Sequence, residues 1–165
     1  LAYPQRISRL ILVDAAGFPL NSTSVPIGFR LARIPALAPV VSKILPRQMI
    51  ESSVRNVFGN PELVTPQLVD RYYELTLRPG NRESLVQRFS QRDDPTLNQA
   101  RISRVAIPTL IIWGGRDRLI PPANAELFNQ AIQGSQLAMF DTLGHVPQEE
   151  DAASTAAVVA AFLAK

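Results

Sequence analysis

The 165 residues carry 17 basic and 14 acidic side chains, a net charge of only +3 with the arginines spread along the chain, which excludes the concentrated basic patch of a nucleic-acid binder. With 46% hydrophobic residues the chain can bury one sizeable core, yet no apolar run approaches the length needed to span a membrane. The absence of cysteine excludes disulfides, a thiol nucleophile and Cys-based metal sites, and a single histidine leaves too few ligands for a zinc site of the usual kind.

The opening, Leu1 to Arg6, reads as the end of a helix stopped by Pro4 and polar residues, so the sequence is expected to begin in mid-domain. Residues 7–13 form the first predicted strand, with the apolar run Leu10 to Val13 ending at Asp14-Ala-Ala-Gly17. From Phe18 to about Asp94 no convincing strand occurs. Residues 27–34 and 36–45 are apolar on more than one side, which predicts helices packed against a core and over a cavity. Pro46 opens a further helix with Ile50, Val54, Val57 and Phe58 on one face, stopped by Gly59-Asn60-Pro61. Thr65-Pro66 is an N-cap followed by proline at the first helical position, and Leu68, Val69, Tyr72, Tyr73 and Leu77 follow at helical spacing. Leu85, Val86 and Phe89 form the stripe of the next helix, and residues 100–106 a short helical approach to Pro108.

Thr109 to Trp113 is a short run rich in β-branched residues, the pattern of a buried parallel strand. It breaks at Gly114-Gly115, and Asp117 lies on the loop beyond. Pro121-Pro122 starts an amphipathic helix with Leu127, Phe128, Ala131 and Ile132 on one face, closed by Gly134-Ser135. Residues 136–140 are the next strand, followed by Gly144-His145-Val146-Pro147. An acid and the only histidine thus sit beyond the carboxyl ends of two consecutive parallel strands, where open α/β sheets bind ligands. A carboxylate bonded to one imidazole nitrogen fixes the tautomer and leaves the other nitrogen to act as a base. The last helix is predicted to open at Pro147 to Asp151, its acids suiting the helix dipole, and to bury Val158, Val159, Phe162 and Leu163.

Trp113-Gly114-x-x-Asp117-x-x-x-Pro121, followed by Gly144-His145-x-Pro147-x-x-Glu150, resembles the C-terminal part of α/β-hydrolase enzymes. The resemblance implies an α/β class: a partial α/β-hydrolase fold of parallel strands with flanking helices. Residues 1–17 and 95–165 would belong to the core, and 18–94 to an all-helical cap. It implies Asp117 as the acid and His145 as the base of a catalytic triad. The nucleophile elbow and oxyanion-hole donors would lie upstream of Leu1, since no Gly-x-Ser-x-Gly occurs in the chain. Some relatives place the acid after the earlier strand, where Asp14 stands; Asp117 fits the acid's pattern better, leaving Asp14 as a turn residue. Glu150 matches the family's motif acid and is read as helix-start electrostatics and loop anchoring. Cap tyrosines of epoxide hydrolases polarise the epoxide oxygen, which marks Tyr72 and Tyr73 as candidate substrate-binding residues.

The expected activity is serine-nucleophile hydrolysis of an ester or related acyl or carbon–carbon bond in a small, largely apolar substrate. The alternatives are an aspartate nucleophile, as in epoxide hydrolases and haloalkane dehalogenases, and a non-catalytic relative that binds a small molecule. No cofactor or metal is implied. The strand at 7–13 would expose an apolar edge, so an upstream half or an oligomer partner is expected to cover it. The chain alone is expected to be poorly stable and inactive.

Overall fold

The computed structural model describes residues 3–19, 21–26, 30, 34, 45–90 and 95–165. The helices expected over 27–34 and 36–45 lie outside the described residues, apart from isolated positions. Three apolar runs pair in parallel as β1 (Leu10–Val13), β2 (Thr109–Gly114) and β3 (Gln136–Phe140), in the order β1-β2-β3 among the described residues. Leu10 pairs with Thr109 and Leu110 with Gln136, so the three strands finish at nearly the same level. The first strand is shorter than the predicted 7–13, because residues before Leu10 have no partner strand residues on β2.

All six residues of β2 are buried, as a strand flanked on both edges and covered on both faces requires. Alternation sends Ile111 and Trp113 to one face, where they meet Phe18, Ile120, Ala125, Phe128 and Ile132. Leu110 and Ile112 point the other way and pack with Phe162, Val158 and Val159. The edge of β1 away from β2 pairs with no strand among the described residues.

The helices between β1 and β2 are α1 (Arg47–Val57), α2 (Pro66–Leu77), α3 (Asn81–Ser90) and α4 (Pro95–Ile102). Thr65 caps α2 as its sequence demands, its hydroxyl oxygen accepting the Leu68 N–H at 3.2 Å, with Pro66 at the first position. Ile50, Val54, Phe58, Val64 and Val69 make a second core, against which Tyr72, Tyr73 and Val146 pack. Arg47 bridges Asp70 at 2.7 Å and Glu51 at 3.6 Å, but these pairs are solvent-exposed and contribute at most about 1 kcal/mol each. Burying each large apolar side chain contributes about 1.5–3 kcal/mol, so the apolar cluster docks α1 on α2. The short approach expected at 100–106 is instead the end of α4, which begins at Pro95.

Beyond β2 lie α5 (Ala123–Ala131), α6 (Pro147–Glu150) and α7 (Ala152–Leu163). In α5 Phe128 is buried and the following Ile132 is too, but Leu127 is 40% exposed. The single last helix expected from Pro147 is two. Asp151 leaves the helical region and accepts the Ser154 N–H at 3.0 Å, capping α7 afresh. Leu163, expected on the buried face, is 51% exposed at the frayed end of α7.

Gly114 closes β2 where the backbone of Gly144 crosses it, and a Cβ there would overlap the Gly144 carbonyl oxygen. No flexible side chain can give way at that crossing, so Gly114→Ala is expected to destabilise the chain by more than ~2 kcal/mol in urea unfolding. Gly134→Ala, at a positive φ of 75° with open space around it, should cost only about 1 kcal/mol.

Candidate active site

Two loops meet at the carboxyl end of the sheet. The one after β2 carries Asp117, the one after β3 carries His145, and backbone hydrogen bonds hold them together. Gly115 N–H donates to Phe140 O and Arg116 N–H to Leu143 O, both at 2.8 Å. The acid loop closes on itself through Trp113, whose indole N–H donates to Ile120 O at 3.0 Å.

Asp117 is completely buried and every oxygen is engaged. Its Oδ1 accepts the N–H groups of Leu119 and Ile120 at 2.8 and 2.9 Å, and its Oδ2 lies 2.8 Å from His145 Nδ1. Two backbone donors lock the carboxylate, so its second oxygen has one orientation to offer the ring. Nδ1 then carries the ring proton, and Nε2, without a hydrogen-bond partner among the described residues, remains a proton acceptor. The expected acid–imidazole contact is formed.

The histidine loop is held from a third direction. His145 N–H donates to Val57 O at 2.7 Å, and Arg118 donates to Phe58 O at 3.0 Å. Glu150 takes the Gly144 N–H on Oε1 at 2.6 Å and the Gly59 N–H on Oε2 at 2.8 Å. This carboxylate therefore clasps the end of α1 to the histidine loop. Next to it, Glu149 pairs with Arg71 and accepts the Tyr72 hydroxyl on Oε1 at 3.0 Å. Burial and the Glu149 charge push the Tyr72 phenol up to about 12, so it stays a donor at neutral pH. Tyr73 packs with Tyr72 on the helical core.

Asp14 also reaches this site. It ends β1, its Oδ1 accepts the Gly114 N–H at 2.9 Å, and it comes within 4.8 Å of Asp117 and His145, donor atom to donor atom. Two acids and an imidazole at this spacing raise the question of a metal ion. Asp117 has spent Oδ1 on two N–H groups and Oδ2 on the histidine, and Nδ1 faces that oxygen, so these two side chains are committed to one another. Asp14 had a legible signal, an acid at a strand end. The backbone groups of Val57 and Gly59 had none, because any residue supplies a carbonyl or an N–H.

Burial disfavours the imidazolium of His145, but the hydrogen bond and charge of Asp117, with the charge of Asp14, outweigh it and hold its pKa above the usual 6.5. The folded value exceeds the unfolded one, so this contribution to stability is complete below pH 6.5 and is lost as pH rises through the raised value. As the only histidine, His145 gives a single imidazole signal in a proton NMR titration. Its midpoint should lie above 6.5 and move down in Asp117→Asn, where burial is no longer opposed by a bonded charge. A midpoint unmoved by that substitution would show that the pair carries no charge interaction.

Residues 1–152 match the family model described as alpha/beta hydrolase fold. The chain is 29% identical over 171 residues to a 2-hydroxymuconate semialdehyde hydrolase of Pseudomonas putida, covering 100% of this chain and 57% of that protein. It is 30% identical to Lipase 3 of a Moraxella species, over 97% of this chain and 49% of the lipase. Among solved structures, a meta-cleavage product hydrolase of Pseudomonas fluorescens superposes with a TM-score of 0.76 at 23% identity, over 98% of this chain and 57% of that one. A thermophilic esterase of Thermogutta terrifontis gives 0.74 at 20% identity, again over 98% and 57%. The chain thus spans about half the length of the curated relatives it matches, and its parallel sheet with flanking helices is a part of their fold. By the match over residues 1–152, the chain belongs to the alpha/beta hydrolase fold family.

Proposed function

We propose that this chain supplies the acid and base of a hydrolase whose nucleophile lies in a segment outside it. The observation that carries this reading is the 2.8 Å contact between Asp117 Oδ2 and His145 Nδ1, with the carboxylate buried and Nε2 left over for proton transfer. His145 Nε2 takes the proton of a serine hydroxyl as the oxygen attacks the substrate's acyl carbon, and later delivers it to the leaving group. Asp117 holds the ring tautomer and faces the imidazolium as it forms. The relatives named a semialdehyde hydrolase, a lipase and an esterase support an acyl substrate, cleaved at an ester or a carbon–carbon bond.

The helical segment serves in this reading as the lid, residues 18–94, over a small and largely apolar substrate. The Tyr72 hydroxyl donates to Glu149, and Tyr72 and Tyr73 pack against the helical core; in this reading they line the substrate's side of the lid. The open edge of β1 is where the nucleophile-bearing segment, or an oligomer partner, would pair.

In the protein with its nucleophile-bearing segment, His145→Ala and Asp117→Asn should each lower ester turnover by roughly 10^3–10^4-fold. A loss below about tenfold for either would remove that residue from the chemistry. The purified 165-residue chain should show no turnover. Ester hydrolysis by that chain, abolished in His145→Ala, would refute the assignment of the nucleophile elsewhere.

A further inference from the structure

Asp14 carries more structure than a turn residue needs. It is 4% exposed, and its φ of 42° makes it the one non-glycine residue with positive φ among those described. Aspartate is one of the few side chains that enter that region, and here its bond to the Gly114 N–H holds it there. Its Oδ1 is satisfied by Gly114 N–H, but its Oδ2 is buried with no hydrogen-bond partner. A charged carboxylate oxygen left in that position, with the Asp117 carboxylate close by, has nothing to stabilise it. A protonated one carries no charge to stabilise.

We propose that Asp14 is a positioning residue of this site: its Oδ2 carries a proton directed at the Asp117 carboxylate, so the imidazole of His145 is oriented by two carboxyls sharing one proton rather than by Asp117 alone. One side-chain oxygen or nitrogen from each of the three residues lies within 4.8 Å of the other two, so both carboxyls and the ring are neighbours. A proton on Asp14 satisfies the orphaned oxygen and removes the repulsion between two buried carboxylates in one stroke. It also leaves the lone pair of Asp117 Oδ2 that faces His145 untouched.

The electrostatics agree. Burial is the main cause that raises the Asp14 carboxyl, from 3.8 to about 7; the Gly114 N–H opposes it, the Asp117 charge adds to it and the His145 charge opposes it. The titratable groups facing Asp14 are Asp117 from the loop after β2 and His145 from the loop after β3. Of the nearby cations, Arg116 is exposed and Arg118 is bonded to the Phe58 carbonyl. Below neutral pH the carboxyl pair therefore presents one negative charge to the ring, and above it two.

This inference rests on the reading of Asp117 and His145 as an acid–base pair, but its test does not use turnover. The protein with its nucleophile-bearing segment, labelled with carbon-13 at the aspartate carboxyl carbons, is titrated by NMR with each carbon assigned through its own backbone. The Asp14 carbon should titrate near neutral pH. In Asp14→Asn the His145 midpoint should fall, because the second negative charge is gone. Asparagine keeps the acceptor for Gly114 N–H, places a donor where the proton was, and tolerates the left-handed backbone. Should that variant fail to fold, the wild-type spectrum still decides. An Asp14 carbon that titrates in the ordinary carboxylate range overturns the proposal. So does a folded Asp14→Asn with the wild-type His145 midpoint, since burial alone would then account for Asp14. Loss of turnover in His145→Ala or Asp117→Asn bears on the acid–base pair and leaves the role of Asp14 to these two titrations.

Discussion

The geometry of this site depends on two backbone hydrogen bonds between loops, Gly115 N–H to Phe140 O and Arg116 N–H to Leu143 O. They extend the pairing of β2 with β3 past the ends of the strands, so the acid and histidine loops leave the sheet side by side. Only with that crossing in place can a short carboxylate side chain reach an imidazole. The glycines are what permit it: Gly114 and Gly115 let two main chains touch where any side chain would hold them apart.

Around this crossing the structure adds constraint on constraint. Two N–H groups fix one Asp117 oxygen, Trp113 closes the acid loop, and the Val57 carbonyl receives the amide of His145. The left-handed backbone of Asp14 brings a second acid beneath the pair. Each contact is a modest contribution to stability, of order 1 kcal/mol for an ordinary hydrogen bond. Their joint effect on orientation matters more, because each removes one freedom from the carboxylate or the ring.

Much of this arrangement is legible in the amino-acid sequence. Residues 109–113 announce a strand by their β-branched run between Pro108 and Gly114, and 136–140 by a short apolar run after Gly134-Ser135; both lie where expected. Asp117 and His145 are placed by their positions just past those strands. Helix phase was harder. Leu127 and Leu163 fit an apolar stripe by spacing yet face solvent, since a stripe is wider than the surface available to cover it. Asp151 interrupts what periodicity reads as one helix, because its side chain can bond the backbone in place of the helical turn. Asp14 was visible as an acid at a strand end, but its proximity to Asp117 is a tertiary fact that no local pattern encodes.

The Glu150 clasp has a mechanical consequence. One carboxylate holds amides from Gly59 and from Gly144, so the end of α1 and the imidazole loop are riveted at a single point. The helices cannot peel from the sheet at this seam without first breaking the support of the imidazole. Local melting of α1 would be transmitted straight to His145, which makes helices and sheet one cooperative unit at their shared corner.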